Sequence, residues 1–278
     1  MTKKKLKASR QETQKINREE THPELLTFGG HLEVLRQMLF RILGVAGVIT
    51  VAVLCFKDTT WELLLAPSEW NFCTYRWIES AMHATGIKFN FEEFHVEMIA
   101  TDLSSQFMTH ITTAVYLGLL GASPYILYEL FRFISPALYE NERKYSVQVA
   151  GIIYVLFILG VLMSYFILFP ISFRFLGTYS VSAKVVSNIT LDSYISTFVS
   201  LTLVMGVVFQ LPVIAFFLGK LGIVTHELLE DYRKHSFIVI MLVAAVITPP
   251  DLMTLILVTI PLYLLYEISI RVVKIVEK

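Results

Sequence analysis

Residues 235–270 read HSFIVIMLVAAVITPPDLMTLILVTIPLYLLYEISI, two apolar runs joined by a turn of two prolines and Asp251, which is placed to cap the second run. In lipid the backbone must satisfy its own hydrogen bonds, so both runs are predicted to be helices. The first, His235–Thr248, would reach about 21 Å, short of a hydrocarbon core of about 30 Å. The second, Leu252–Ile270, is also short. We therefore predict a hairpin at which the bilayer thins or flanking side chains snorkel.

Four further apolar runs precede this hairpin: Met38–Phe56, Thr109–Phe131, Tyr145–Phe169 and Ser196–Leu218. Of the 278 residues, 55% are hydrophobic and 17% are charged, with a mean hydropathy of +0.63. A soluble domain carries about 25% charged residues. The sequence therefore predicts an all-α membrane protein with six transmembrane helices, of which the fifth and sixth are short. Residues 1–27 are predicted to be a disordered tail, residues 28–271 the membrane domain and residues 272–278 a second tail.

Lysine and arginine are unevenly divided between the predicted loops. They crowd into residues 1–41, the turns 132–144 and 219–234 and the C-terminal end, and they are sparse elsewhere. Because loops rich in these residues stay on the cytoplasmic side, both termini and the 132–144 turn are predicted to be cytoplasmic. The net charge is zero, so it gives no sign of a nucleic-acid partner.

The sequence signatures of several enzyme classes are missing. The chain contains no GxxxxGK[ST], no HExxH and no GxSxG, and its seven histidines are scattered. Nucleotide, zinc and serine-hydrolase chemistry therefore lack candidate residues, and we predict no metal, no cofactor and no enzymatic activity. Cys55 and Cys73 have no CxxC neighbour, so two unpaired thiols are favoured over a disulfide, which stays open as the alternative.

All three tryptophans, Trp61, Trp70 and Trp77, fall in the first predicted external segment, residues 57–108. Tryptophan favours the membrane interface, so part of this segment is expected along the outer leaflet. The alternative is a small external cap with its own core. The sequence favours neither.

Few polar groups fall inside the predicted helices. Glu129 lies three residues before Arg132, and Glu267 lies four before Arg271, near cytoplasmic ends. An intrahelical ion pair and snorkelling would satisfy both glutamates. Gln210 lies deeper, in the fourth apolar run and two residues before Pro212. It would either hydrogen-bond to a neighbouring helix or dock a partner helix, and the sequence leaves these two interpretations even.

Two charged segments are predicted on the cytoplasmic face. In GGHLEVLRQMLFR (29–41) the leucines follow helical spacing while Glu33 and Arg36 face away, which indicates an interfacial amphipathic helix. The turn FISPALYENERKYS (133–146) carries Glu140 and Glu142. Carboxylates on such a surface suit an arginine-bearing ligand, because guanidinium donates two parallel hydrogen bonds to one carboxylate. Charged turns are more often simply solvated, so both interpretations stand at this point.

Five motifs then occur in one order along the chain: HLEVLR, IATD, PYILYELFRFISPALYENERK, FQLP and TPPD. With six predicted helices and both termini inside, they resemble the TatC family, the multispanning subunit of the twin-arginine protein translocase. The resemblance covers about residues 28–271. No single motif decides it, but five in order are strongly specific.

The resemblance implies a receptor in the cytoplasmic (inner) membrane. TatC-like proteins receive folded precursors whose signal peptides carry paired arginines, on a face built from the N-terminal helix and the first cytoplasmic loop. By motif position, Glu142 would be the main carboxylate. The residues around it would be Glu33, Leu35, Arg36, Phe133 and Pro136.

The resemblance also implies partners. Single-span proteins of the TatA/TatB type would dock near the fourth to sixth helices, where Gln210, Thr248 and Asp251 fall. The chain would self-associate in a complex, and the proton-motive force would drive export. The rival interpretations are a secondary transporter of small solutes, which needs a polar midplane pocket, and a structural membrane-assembly protein.

Three positions depart from the family pattern. The family usually has glutamate directly before the Leu-Arg pair of the first motif, where this chain has Val34; Glu33 stands one step earlier and points about 100° away around the helix. Gln210 stands where many members have glutamate. Residues 68–97 form a longer external insertion than the pattern needs, and the sequence assigns them no function.

Overall fold

The computed structural model describes residues 28–86, 93–134, 146–180, 182 and 188–277. Its helices are, in chain order, α1 (Phe28–Cys55), α2 (Lys57–Leu65), α3 (Cys73–Ala84), α4 (Ser105–Ile134), α5 (Ser146–Met163), α6 (Phe169–Thr178), α7 (Leu191–Val208), α8 (Leu211–Lys220), α9 (His226–Asp231), α10 (Arg233–Ile247) and α11 (Leu252–Val276). The chain divides into two compact units, residues 1–41 and 42–278, and the packing described below lies in the second.

Five helical stretches are long and apolar enough to cross a membrane. They are Leu32–Cys55, Ser105–Phe133, Val149–Thr178, Leu191–Lys220 and Leu252–Val276. The chain is therefore an all-α membrane protein, as the apolar runs predicted. The remaining predicted span, the fifth, corresponds to α10, which has 15 residues and reaches about 22 Å. The count of six crossings and the cytoplasmic placement of the termini stay predictions.

The sixth predicted span, Leu252–Ile270, corresponds to α11, which has 25 residues and runs past the predicted end to Val276. Its last part carries the charged residues Glu267, Arg271 and Lys274. A basic residue in the last turn is favourable at the negative end of a helix. The uncharged part of α11, Leu252–Tyr266, is as long as α10. Arg233 and Lys234 begin α10, so the uncharged parts of both helices reach at most about 22 Å.

The third membrane-spanning stretch changes its helical geometry part-way along. α5 passes through a π-helical segment, Ser164–Leu168, into α6, whose second residue is Pro170. Gly160 in α5 lets α7 approach so closely that a Cβ at this position would stand 2.5 Å from the Met205 carbonyl oxygen. One turn later the hydroxyls of Ser164 and Thr202 lie 3.3 Å apart. The third and fourth stretches therefore pack with their backbones unusually close together.

On the side predicted to be external, α2, the 3₁₀ turn Ala66–Ser68 and α3 form a cap (Lys57–Ala84) over the ends of the membrane helices. The last carbonyls of α2 lack donors within the helix, and side chains supply them: the Tyr165 hydroxyl donates to the Leu63 carbonyl at 2.7 Å, and the Tyr194 hydroxyl to that of Leu64 at 2.7 Å. Leu64 is fully buried. The cap therefore shares the core of the membrane helices, because Leu64 and Tyr75 belong to the same buried cluster as Leu168 and Leu262.

The insertion 68–97 supplies a hydrogen-bond donor where Pro170 interrupts the backbone hydrogen bonding of the third stretch. Pro170 has no N–H to offer the Phe166 carbonyl one turn earlier, and the Thr74 hydroxyl of α3 donates to that carbonyl instead. The Tyr75 hydroxyl donates to the Pro170 carbonyl at 2.9 Å. Burial raises the pKa of Tyr75 well above its ordinary value, against the opposing effect of Arg174, so this donor stays protonated.

A short strand pairing and two free thiols also lie on the predicted external side. The two-residue strands β1 (Met98–Ile99) and β2 (Ile189–Thr190) pair in parallel, with Met98 opposite Ile189, and link the loops before α4 and α7. Cys55 and Cys73 are free thiols, as favoured from the sequence.

Candidate receptor face and intramembrane polar sites

The residue that the motifs single out, Glu142, lies outside the described residues, as do Pro136 and Glu140. The structure describes the helix that leads into this turn. On α4, Tyr125, Glu129 and Phe133 follow one another at intervals of four residues and therefore share one face. This face is the described part of the predicted receptor site that belongs to the second unit.

Glu129 on this face differs from its predicted role as a snorkelling charge at a helix end. It is only 4% exposed, and its Oε1 accepts a hydrogen bond from the Tyr125 hydroxyl at 3.1 Å. It also takes part in a further interaction, whereas Arg132 is exposed. Snorkelling is therefore wrong for Glu129. The signal in the sequence was its spacing of four residues from Tyr125 and Phe133, which places it on the same helix face as these two half-buried rings.

The start of α1 carries the other predicted receptor residues, in the first unit. The Glu33 carboxylate pairs with Arg36 at 3.5 Å and accepts a hydrogen bond from the Gln37 amide at 3.2 Å. Both members of the ion pair are more than half exposed, so the pair contributes little stability and is open to exchange with another guanidinium. Val34 and Leu35 are exposed apolar side chains. The predicted amphipathic helix thus presents one carboxylate to its surroundings.

Gln210 occupies a break in the fourth membrane-spanning stretch, between α7 and α8. Its backbone N–H turns back to Val207 at 3.0 Å, which leaves the Gly206 carbonyl without this helical donor. The Gln210 Nε2 donates to the Gly206 carbonyl at 3.4 Å and to the Ile153 carbonyl of α5 at 3.1 Å. Of the two predicted interpretations, the hydrogen bond to a neighbouring helix is the one for which the structure provides partners.

The same geometry defines what position 210 requires. Both partners of the side chain are carbonyl oxygens, so the side chain must donate. An ionised carboxylate only accepts and would face both oxygens unfavourably. The Gln210 Oε1 is buried, and among the described residues it has no hydrogen-bond partner. Many family members have glutamate at this position, and a glutamate would have to be protonated before it could donate. Glutamine donates at any pH.

Thr248 and Asp251 lie at the turn between α10 and α11. The Asp251 Oδ1 accepts from the Thr254 backbone N–H at 2.7 Å, which confirms the predicted N-cap. Thr248 is buried and donates to the Ala244 carbonyl at 3.0 Å. The Oδ2 of Asp251 is buried and lacks a partner within the described part of the chain. No hydrogen bond among the described residues joins Gln210 to either, so the structure gives two separate polar sites.

Glu267 pairs across helices rather than within one. The sequence predicted Arg271, four residues later, but the Glu267 carboxylate lies 3.1 Å from Arg233 at the start of α10 and accepts from the Tyr263 hydroxyl at 3.1 Å. The prediction failed because spacing within one helix cannot reveal a partner on the next. The Arg233–Glu267 pair ties α10 to α11 at the end opposite the Asp251 turn.

Hydrogen bonds between His226 and Glu277, called the clasp below, join the short helix α9 to the end of α11. The His226 backbone N–H donates to the Glu277 Oε1 at 2.9 Å, and the His226 ring contacts the other carboxylate oxygen. These hydrogen bonds lower the pKa of Glu277 below its ordinary value. Among the described residues, no cluster of His, Cys, Asp and Glu could hold a metal ion.

A family model described as "Sec-independent protein translocase protein (TatC)" matches residues 30–261. The chain belongs to the TatC family. It is therefore a multi-pass membrane component of the Sec-independent protein translocase, and a non-enzymatic one.

Individual TatC proteins match over most of their length. The protein of Blattabacterium sp. subsp. Periplaneta americana is 34% identical over 251 residues, which cover 89% of this chain and 94% of that protein. The protein of Carboxydothermus hydrogenoformans is 30% identical over 256 residues, covering 91% and 94%. A crystal structure titled as the twin arginine translocase receptor TatC superposes with a TM-score of 0.70 at 30% identity, covering 89% of this chain and all of that one.

Proposed function

We propose that this chain is the subunit of the translocase that receives twin-arginine signal peptides of folded precursors at its cytoplasmic face. The observation that carries the proposal is the match to a solved TatC receptor over 89% of the chain. The order of the five sequence motifs supports it independently. The proposal includes the orientation predicted from lysine and arginine, with both termini in the cytoplasm of a cell whose inner membrane holds the protein.

The chemistry of the proposed site is the pairing of guanidinium with carboxylate. Glu142 is the main receptor carboxylate, and the α4 face with Tyr125, Glu129 and Phe133 leads into its turn. Glu33 is a second carboxylate on α1, and its exposed pairing with Arg36 can exchange for an arginine of the ligand. Leu35 and Pro136 supply apolar contact for the peptide around its charged pair.

The partner helices of the complex are proposed to dock at the fourth to sixth helices. α10 exposes most of its apolar side chains, for example Ile238, Leu242 and Val246, which is the surface that a single-span partner of the TatA/TatB type would cover. Thr248 and Asp251 lie at one end of this surface. Gln210 is mainly a structural donor, and only its Oε1 is left to serve a partner. The proton-motive force is the proposed energy source.

Photocrosslinking tests the receptor proposal. A photoreactive amino acid at position 142, in membranes that also hold the partner subunits, is expected to crosslink a signal peptide with paired arginines. A peptide in which both arginines are replaced by lysines is the matched control and is expected to lose most of the crosslink. Equal crosslinking of both peptides would contradict the proposal, as would uptake of a small solute by vesicles that contain this chain alone.

A further inference from the structure

The helix α3 and the turn before it expose two large apolar side chains, the indoles of Trp77 and Trp70. The buried face of this helix is formed by Thr74 and Tyr75, which are 3% and 2% exposed and hydrogen-bond to the third membrane-spanning stretch. Trp77 is 58% exposed, and Trp70, just before the helix, is 44% exposed. Because these hydrogen bonds fix the rotation of α3 about its axis, Trp77 stays on the exposed side of the helix.

The depth of Trp77 follows from its neighbour. Its ring centroid lies 5.9 Å from that of Phe166 in the π-helical segment. Phe166 is about 25 Å along the helix from Val149, where the apolar stretch begins. A hydrocarbon core is about 30 Å thick, so Phe166 and Trp77 lie near its far boundary, on the cap side.

The surface next to this ring pair is apolar and exposed. Leu162 and Ile167 flank Phe166 along the third stretch, and both are exposed apolar side chains of a membrane-spanning segment. The exposed indole of Trp77 thus continues a lipid-facing surface at the level where it ends. Arg76, the residue before it, is also exposed and provides a cation at the height of lipid phosphates. An indole with a polar N–H and an apolar body favours this zone.

We propose that α3 is an interfacial helix that docks the insertion 68–97 onto the lipid leaflet on the cap side. Trp77 lies at the boundary of acyl chains and head groups, with Trp70 beside it. The occupant of this face is the bilayer itself. The insertion then has two attachments, the hydrogen bonds of Thr74 and Tyr75 to the protein and the indoles to lipid, so it keeps the cap seated at the membrane surface.

Lipid-quencher fluorescence tests the proposal. The chain with Trp61→Phe and Trp70→Phe keeps Trp77 as its only indole and is reconstituted into vesicles whose lipids carry bromine near the carbonyl end or near the middle of the acyl chain. We expect bromine near the carbonyl end to remove most of the Trp77 emission, mid-chain bromine to remove less, and aqueous iodide to remove little. The matched control keeps only Trp61, which is half-buried against the His110 ring, and is expected to lose less emission to brominated lipid.

Two results would overturn the proposal. Strong quenching by iodide with none by brominated lipid would place Trp77 in water. Protection from both quenchers would mean that protein, such as a second copy of the chain, covers this face. If the double substitution prevents folding, the difference in quenching between the intact chain and Trp77→Phe gives the same answer with one conservative change. Neither measurement depends on signal-peptide binding, so the proposal stands or fails separately from the receptor function.

Discussion

The amide of Gln210 reaches across to the Ile153 carbonyl, 57 residues earlier in the chain, at 3.1 Å. The bond joins the break between α7 and α8 to α5, inside the membrane-spanning part of the molecule. Pro212 lies just after the break and cannot donate a backbone N–H. The Gln210 side chain also donates to the Gly206 carbonyl, which the Gln210 backbone N–H leaves without its helical donor.

Replacement of Gln210 should distinguish a donor role from a merely polar one. Gln210→Leu removes the donor, and we expect a loss of stability of about 1 kcal/mol, typical of a hydrogen bond between membrane helices. Gln210→Glu keeps the shape but donates only when protonated, so its melting temperature should approach that of the wild type as the pH falls. Thermal unfolding in detergent at two pH values measures this. A pH-independent deficit in Gln210→Glu, equal to that in Gln210→Leu, would contradict the donor role.

The contact between α5 and α7 at Gly160 should tolerate no side chain. A Cβ there would stand 2.5 Å from the Met205 carbonyl oxygen, which belongs to the backbone and cannot swing aside. We expect Gly160→Ala to cost about 1–3 kcal/mol, as overpacking does. The matched control is Gly151→Ala on the same helix, where nothing lies within 4 Å of the added methyl group. The melting temperature should fall in the first variant alone; equal melting of both would show that the two helices pack less closely.

Thr74 should stabilise the third stretch through one hydroxyl. Thr74→Val keeps the size and shape and removes the donor to the Phe166 carbonyl. A buried acceptor left unpaired costs about 1–3 kcal/mol. Thr59→Val, on the exposed side of α2, is the matched control and should have no effect. Hydrogen exchange should become faster in residues 164–170 for Thr74→Val, and unchanged exchange there would mean that another donor serves this carbonyl.

These contacts mark how far the sequence alone could lead. Apolar length predicted the membrane-spanning helices, because a helix in lipid needs only its own residues. The cap of Asp251 on α11 was predictable for the same reason, since donor and acceptor lie three residues apart. The Tyr194–Leu64 hydrogen bond spans 130 residues, and no local pattern reveals such a contact. For the receptor site, the ordered motifs predict Glu142, and the structure adds that Glu129 is buried.

Acid should loosen the clasp between α9 and the end of α11. The hydrogen bonds from His226 lower the pKa of Glu277 from 4.5. A carboxylate with a lowered pKa stabilises the fold above its unfolded value, and this contribution is lost as the pH falls through the lower, folded value. We therefore expect the protection of the His226 amide, its exchange rate compared with that of an unstructured peptide at the same pH, to be weaker well below pH 4.5 than at pH 7. Glu277→Gln should remove this dependence; if it persists, another group controls the clasp.

The charge pairs on the predicted cytoplasmic face allow the receptor proposal to be tested residue by residue. We expect Glu142→Ala to block export of a reporter with a twin-arginine signal while the protein stays in the membrane, and Glu140→Ala, two residues away, to export normally. Glu33 is exposed and engages Arg36, so it can be released for a ligand only by breaking that pair. Glu33→Ala should therefore reduce export less than Glu142→Ala does, but more than Val34→Ala. Export at wild-type level in both the Glu33 and Val34 variants would show that α1 contributes no carboxylate, and normal export in Glu142→Ala would remove the site itself.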